Sequence, residues 1–570
     1  VSQRIEYDVA LVGASPSNLA LAHRLVEVAA GPVRIAILEK GKAVGAHLLS
    51  GAVSNPRVLN KLFPTWKEDE TFPKEAICTE SYVTFMGANA KEDAPRFATP
   101  PHFRKEGYVV LSVADLAAWM AEGLTAKAAQ KEGAVVDIYP TFPAREIIYD
   151  GDKVVGVRVD DTGDDARDIL YAKVTVFGDK GFVSRDLCEK FGLRKNPQTW
   201  GVGVKEVWET AESYEGKVWH TAGYPAPAGL YGGGFIYGCK GNKLIVGMVM
   251  ALDNANPNIE PPQLLQDFKK HPWVQGMLKD GKLVKYGAAV LPEGGYYSLP
   301  EKFAVAGAMM VGDALGTLDI KRFSGVDKAM ESGYVAAEVI ADCLAKGDCS
   351  ESALAAYKTK LMDTFVGKEL YEARYFKQTF HEYPEILDEA FPTFAEGIDS
   401  GIGLFGGALK FGLTGPFRAL RLMGARGMMD NPSDRGPISY KEDRTYPNPA
   451  YKVAKATPST SYDRKSVFST ADIVFYAHTH YEEGVEHIEE TNADVCRGCI
   501  AKYEGAGKKP PCVGDCTAEV HEVLDIDGKR THKMAFENCV QCTTCEIVCP
   551  EKNIRVRAAA YGSGPDFSGM

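Results

Sequence analysis

Positive charge, long apolar runs and, over the first four-fifths of the chain, cysteine are all scarce in this 570-residue sequence. Sixty-five Lys and Arg against 76 Asp and Glu leave a net charge of −11, with a pI near 5.6. That balance excludes a broad nucleic-acid-binding surface. No uninterrupted run of about 18 apolar residues occurs, so no transmembrane helix is expected and any contact with a bilayer is from its surface. A strand-like run from Tyr7 to Val12 begins too early to leave room for a signal peptide. Val1 is not an initiator methionine, so a processed targeting segment stays open. No repeat of roughly 20–50 residues is evident. Cys78, Cys188, Cys239, Cys343 and Cys349 are scattered and read as small buried hydrophobes. A chain this long, 45% hydrophobic, needs no disulfides to fold. Its length corresponds to about three or four domains.

The N-terminus reads strand, turn, helix, strand: YDVALVG, then SNLALAHRLVEVA, then VRIAILEK. The second strand ends in Glu39, at the distance of about 20 residues from the turn that suits a ribose hydroxyl. A helix N-terminus offers free N–H groups to a pyrophosphate. The turn itself, Gly13-Ala14-Ser15-Pro16-Ser17-Asn18, keeps only the first of the three fingerprint glycines. Ser15 is expected to narrow the phosphate approach and Asn18 to crowd the helix against the strand. On this motif alone an ordinary βαβ unit without nucleotide stays open. Two later strands add weight, one ending in Gly178-Asp179-Lys180-Gly181 and one in Gly312-Asp313 before a helical stretch. An acid placed after glycine at such a strand end can reach a ribityl hydroxyl. Three strand-end motifs in this order resemble the glutathione-reductase-type FAD proteins, in their hydroxybenzoate-hydroxylase-like branch.

The remaining eight cysteines lie between Cys496 and Cys549. Cys539, Cys542, Cys545 and Cys549 form C-x2-C-x2-C-x3-C-P, the bacterial ferredoxin run, in which three thiolates hold one cluster and the fourth ligates another. A single zinc tetrahedron gives no reason for this spacing. Upstream, Cys496, Cys499, Cys512 and Cys516 form C-x2-C-x12-C-x3-C, which by itself fits a zinc knuckle as well.

Further segments, VGAHLLSGAV, PQTWGVGVKEVWE, GLYGGGFIYG, KYGAAVLPEGGYYSLP and GSGPDFSGM among them, narrow the match. In order and along almost the whole chain they resemble the electron transfer flavoprotein–ubiquinone oxidoreductase family. The resemblance implies a monotopic membrane flavoprotein that takes electrons from reduced electron transfer flavoprotein and passes them through iron–sulfur and FAD to a membrane quinone. It implies a glutathione-reductase-type α/β FAD domain, a β-sheet quinone domain inserted in it, and a ferredoxin-like C-terminal domain. The FAD set is then Gly13, Ser15, Ser17, Glu39, Lys40, Gly178, Asp179, Gly312 and Asp313. The loop with His47, Leu49, Ser50 and Gly51 corresponds to the family stretch beside the isoalloxazine. His47 is expected to be a hydrogen-bonded histidine and not a covalent tether. Gly232 and Gly233 correspond to the glycines that approach the quinone; a glycine-rich bulge in a sheet is the alternative. The family carries one cluster, and Cys516-Thr-Ala-Glu-Val-His matches its upstream ligand stretch. Four cysteines are then additional, the number a second 4Fe–4S cluster needs: Cys496, Cys499, Cys512 and Cys549 for one, Cys516, Cys539, Cys542 and Cys545 for the other.

From Gly401 to Met429 there is no Asp or Glu, where about four are expected at the chain's average acidity. Lys410, Arg418, Arg421 and Arg426 alternate there with apolar residues including Phe405, Phe411 and Phe417. This composition suits the interfacial layer of a membrane with anionic lipids, and a core helix pair is the alternative. The expected partition is FAD domain 1–200 and 286–345, quinone sheet 201–285, helical region 346–430, linker 431–484 and iron–sulfur domain 485–570. The expected location is the cytoplasmic face of a bacterial or archaeal membrane. Two other functions compete: the quinone-reducing flavoprotein/ferredoxin subunit of an electron-bifurcating complex, and a prenyl-lipid reductase, which has no need of the cysteine-rich tail.

Overall fold

The computed structural model describes residues 5–88, 101–160, 168–400, 403–414, 416–430, 436–437, 447–452 and 461–570. Its first sheet is built on parallel strands Ile5–Val12, Val33–Leu38, Ala134–Tyr139 and Ile169–Phe177, with Ala308–Met310 added beside the last. Most of their residues are apolar and join one core with helices Pro16–Val28, Val113–Ala129 and Val326–Lys346. Their register brings four carboxyl ends level: Val12 pairs with Leu38 and with Phe177, and Phe177 with Met310. In an open α/β sheet that edge is where ligands bind.

Helices Pro16–Val28 and Val326–Lys346 pack together behind this edge. The contact is backbone to backbone. A β-carbon at Gly333 would lie 1.9 Å from the Ser17 carbonyl oxygen.

The second sheet has strand order Lys282–Pro292, Trp200–Glu209, Lys243–Ala251, Gly232–Gly238, Lys217–Gly223 and Glu80–Met86. All neighbours are antiparallel except the last pair, which is parallel. The sheet therefore exceeds the expected 201–285 on both sides. It runs on to Pro292 and recruits a strand from the N-terminal segment, a pairing that local sequence does not encode. Its core, with Trp208, Tyr286 and Phe268, is continuous with the apolar residues of the C-terminal domain.

That domain contains a hairpin (His521–Ile526 with Lys529–Met534), a short pair (Ile488–Glu490 with Ile554–Val556) and the helix Ala493–Gly505. Of the expected linker, 461–484 is packed: Phe468 and Ile473 are buried, and Ser469 and Asp472 form a capping box. Most of 431–460 lies outside the described residues.

Helices Gly403–Thr414 and Pro416–Asp430 carry the acid-free stretch. Among the described residues no helix is long and apolar enough to cross a membrane. Leu409, Leu420 and Met423 are 53%, 63% and 70% exposed, beside exposed Lys410, Arg421 and Arg426. Phe411 is instead buried, edge-on to Phe394, so the expectation that it belongs to the surface is corrected. The side chains of Phe405 and Phe417 lie outside the described residues.

Replacing Gly333 by Ala is expected to cost about 1–3 kcal/mol, because the helix pair has no room for a methyl group. Thermal unfolding of the FAD-loaded protein measures this, and Gly347→Ala, where a β-carbon meets nothing within 4 Å but φ is +67°, should cost less.

Candidate functional site

A cleft of about 850 Å³ opens at the level strand ends, bordered by Gly13, Ser15, Glu39, Lys40, His47, Gly178, Asp179 and Lys180. Across it stand Val540, Gln541, Cys542 and Thr543 of the cysteine-rich domain. Gly13 has φ +87°, a conformation only glycine adopts readily. Ser15 caps the first helix, its hydroxyl accepting from the Asn18 N–H. Asn18 does not crowd the strand: its side-chain amide donates to the carbonyls of Val12 at 2.9 Å and Gly13 at 2.8 Å. Room for both comes from Gly178, where a β-carbon would lie 2.6 Å from the Asn18 amide nitrogen and 2.8 Å from the Ser15 hydroxyl. The missing loop glycines are thus compensated at the neighbouring strand end. Ser17 is buried, its hydroxyl 2.7 Å from where a β-carbon on Gly312 would stand.

The Glu39 carboxylate accepts from the N–H groups of Ala14 (3.1 Å) and Gly41 (2.7 Å), and burial raises its pKa. Asp179 accepts from Val183 and Ser184 through one oxygen, leaving the other buried and unpartnered among the described residues. Burial raises the pKa of Asp313, opposed by the nearby charge of Lys180. Lys180, not singled out from the sequence as a binding residue, reaches to 3.5 Å from the Leu49 carbonyl. Lys205 donates to the Ser50 carbonyl at 2.8 Å. Loss of water contact lowers the Lys40 ammonium to about 8, still mostly protonated at neutral pH.

His47 is hydrogen-bonded, as expected: Lys40 Nζ lies 2.7 Å from its Nδ1. An ammonium only donates, so Nδ1 accepts and the proton of the neutral ring sits on Nε2. That atom is buried without a partner among the described residues, and burial holds the ring well below its ordinary pKa. Gly45, at φ +92°, lets the loop pass Ala114; Gly51 faces Phe235. Orphaned polar atoms around a strand-end cleft, His47 Nε2 and Asp179 Oδ1 among them, are what a bound dinucleotide satisfies. The residues present fit FAD.

Gly232 and Gly233 lie inside the second sheet, where β-carbons would come within 2.6 Å of the Val249 carbonyl and 2.2 Å of the Thr221 carbonyl. Close strand approach therefore requires these glycines in its own right. The adjoining loop abuts the helical region: the Gly229 N–H donates to Leu387, and Tyr231 packs on Phe380. Lys377 ties the region to the sheet through Asp253 (2.7 Å) and Glu293 (2.8 Å).

The eight cysteines fall into two groups. Cys496, Cys499, Cys512 and Cys549 border one pocket of about 390 Å³ with Val495, Ile500 and Ile554. Burial, then the nearby thiols of Cys549, Cys499 and Cys496, raise the pKa of Cys512. Burial, then Cys542, Cys539 and Cys516, do the same to Cys545. Backbone N–H groups of Val520, Gln541 and Asn553 point at the sulfurs of Cys516, Cys539 and Cys549. Such donors suit thiolates in a cluster. Cys512, His521 and His532 also bring donor atoms within 4.8 Å of one another. The two imidazoles, however, are 2.9 Å apart and hydrogen-bonded, and His532 is held by Glu490 at 2.8 Å.

Two family models match the chain: ETF-QO, ubiquinone-binding, over residues 200–291, and electron transfer flavoprotein-ubiquinone oxidoreductase, 4Fe-4S, over 462–568. The electron transfer flavoprotein-ubiquinone oxidoreductase of Pseudomonas aeruginosa is 32% identical over 596 residues, covering 99% of each chain. The chain belongs to the electron transfer flavoprotein–ubiquinone oxidoreductase family. Its human mitochondrial relative is 30% identical, over 99% of this chain and 89% of the relative. Among solved structures, a geranylgeranyl bacteriochlorophyll reductase-like protein from Thermoplasma acidophilum shares the fold, with a TM-score of 0.54 at 17% identity over 74% of this chain and all of that one.

Removing Glu39 by Glu39→Ala, or Asp313 by Asp313→Ala, is expected to raise the FAD dissociation constant at least about tenfold, the worth of one charged hydrogen bond. Fluorescence titration of the deflavinated protein measures it.

Proposed function

We propose that this chain accepts single electrons from reduced electron transfer flavoprotein, carries them through its cysteine-rich domain to FAD, and delivers them in pairs to a membrane quinone. The observation that carries this reading is the shared wall: the Cys539–Cys545 loop forms one side of the flavin cleft. Electrons held on that loop's cysteines have no intervening domain to cross. Bound FAD supplies the change from one-electron to two-electron chemistry. The protein's own residues orient it, through Glu39, Asp179 and Asp313, and keep bulk water out.

Two 4Fe–4S clusters are proposed, with the partition read from the spacing. The pocket bordered by Cys496, Cys499, Cys512 and Cys549 supports the second. Beside the four sulfurs it is lined by Val495, Ile500 and Ile554, with His532, Glu551 and Asn553; His532 is hydrogen-bonded to His521 and to Glu490, and zinc binding there is the competing outcome of the test. Iron analysis should give about eight Fe per chain. Cys549→Ser should lose iron from the outer group only, and Cys516→Ser from the inner group only. About four Fe with bound zinc overturns the two-cluster reading.

Quinone is proposed to enter beside Gly232 and Gly233, because the Gly229–Tyr231 loop abuts the helical segments at Phe380 and Leu387, and the helix Phe376–Glu382 in turn packs on Pro416–Asp430, which carries part of the exposed apolar patch. The cleft-side sheet and the lipid-facing surface are then adjacent. A peripheral location on the cytoplasmic face of a bacterial or archaeal membrane is proposed with it. Leu409→Ser, Leu420→Ser and Met423→Ser combined should release the protein from anionic liposomes by at least about tenfold, each exposed side chain contributing roughly 1 kcal/mol or more of insertion. Activity with a short-chain soluble quinone should survive. Unchanged liposome binding removes the patch from the reading.

Stable co-purification with electron transfer flavoprotein subunits would instead favour a bifurcating complex. Stopped-flow reduction by that donor, with a quinone analogue as acceptor, tests the main reading. Quinone reduction that proceeds equally well without the donor flavoprotein overturns it.

A further inference from the structure

Lys40 occupies a position that neither the flavin cleft nor the cysteine domain explains alone. It follows Glu39 at the strand end, and its ammonium stands in the cleft wall. On the cleft side it donates to His47 Nδ1 at 2.7 Å. On the other side it donates to the Gln541 side-chain carbonyl. Gln541 is itself joined to the inner cysteine group: its backbone N–H points at the Cys539 sulfur at 3.3 Å. Its side-chain amide donates to the Ser563 carbonyl at 2.7 Å and to the Tyr481 hydroxyl at 3.3 Å. Tyr481 in turn donates to the Cys539 carbonyl at 2.7 Å. One hydrogen-bonded chain thus runs from the flavin-side loop to a cluster ligand, and Lys40 holds its only formal positive charge.

That charge has no counter-ion in direct contact. Among the described residues Lys40 has no ion pair, and the carboxylate beside it, Glu39, spends both oxygens on backbone N–H groups. The charges that act on it include both Glu39 in the cleft and Cys539 in the cysteine group. In a water-poor interior, an ammonium without a contact ion pair stabilises added negative charge over several ångströms, and Glu39 offsets only part of its field.

We propose that Lys40 is a shared electrostatic element of the two redox centres, raising the reduction potentials of the inner cluster and of FAD together. The proposal rests on the reading that FAD fills the cleft and that Cys516, Cys539, Cys542 and Cys545 hold a cluster. Each cluster reduction adds one negative charge on one side of Lys40, and flavin reduction adds electron density on the other. A common charge lifts both couples while changing the step between them less than either couple alone. It also sets them in mild opposition, because an electron on one side partly screens the ammonium from the other.

The test measures both midpoint potentials at pH 7 in the intact protein, by optical titration for FAD and electron paramagnetic resonance for the cluster. FAD and iron content are determined first on the wild type. A wild type lacking FAD or inner-cluster iron overturns the underlying reading. With both present, Lys40→Met and the hydrogen-bonding neutral Lys40→Gln should each lower both potentials. The expected fall is at least about tenfold in the reduction equilibrium, about 59 mV for the one-electron cluster couple. Lys40→Arg should hold both near wild type. Should Lys40→Met lose cofactor, Lys40→Gln carries the measurement. A neutral variant with full FAD and iron in which only one potential moves, or neither, overturns the proposal. So does an Arg variant that falls as far as the Gln variant.

Discussion

Four parallel strands that end at the same height set the terms for the rest of the molecule. Because Val12, Leu38, Phe177 and Met310 are in register, the residues that follow them emerge side by side. Each strand contributes one device: a positive-φ glycine turn after the first, Glu39 and Lys40 after the second, Gly178 and Asp179 after the third, Gly312 and Asp313 after the fourth. A register slip in any pair would move one device by a residue and turn its side chain to the opposite face. The second sheet and the cysteine domain then close over this edge, sharing one apolar core with each other.

The closed edge is unusually rich in charge for a buried place. Glu39, Asp179 and Asp313 face Lys40 and Lys180, yet direct carboxylate–ammonium contacts are not what stabilises them. Glu39 and Asp179 are held by backbone N–H groups, and the lysines by carbonyls, an imidazole and an amide. Solvation by fixed protein dipoles keeps each group ionisable while leaving its field free to act on a bound cofactor. Paired with one another, the same residues would have been electrostatically silent.

Much of this was readable from the sequence because it is written in local patterns. Strand, glycine turn and acid recur three times in order, and cysteine spacing encodes cluster geometry directly. What could not be read depends on residues far apart in the chain. The compensation of Ser15 and Asn18 by Gly178 involves two strands more than 150 residues apart. Periodicity marks Phe411 as part of an apolar helix but does not say which face meets Phe394. The strand Glu80–Met86 joins the second sheet in parallel, a pairing without a turn to announce it. Lys180 sits in a recognised motif, but its reach to Leu49 depends on how the loop folds back. The Lys40–Gln541 contact joins the first domain to the last, with no local signal in either.

The methyl-free contact between Gly333 and Ser17 bears on the order in which the chain is made. The first two strands and their helix are synthesised early and their flanking strands are complete by Phe177, but the helix Val326–Lys346 that packs on the first helix is completed only at Lys346. At ribosomal rates of 5–20 residues per second, roughly 300 residues of delay amount to about 15–60 s. Throughout that interval the first helix presents the face that Val326–Lys346 will later cover. A nascent chain of this design depends on being shielded while it waits for its own second half.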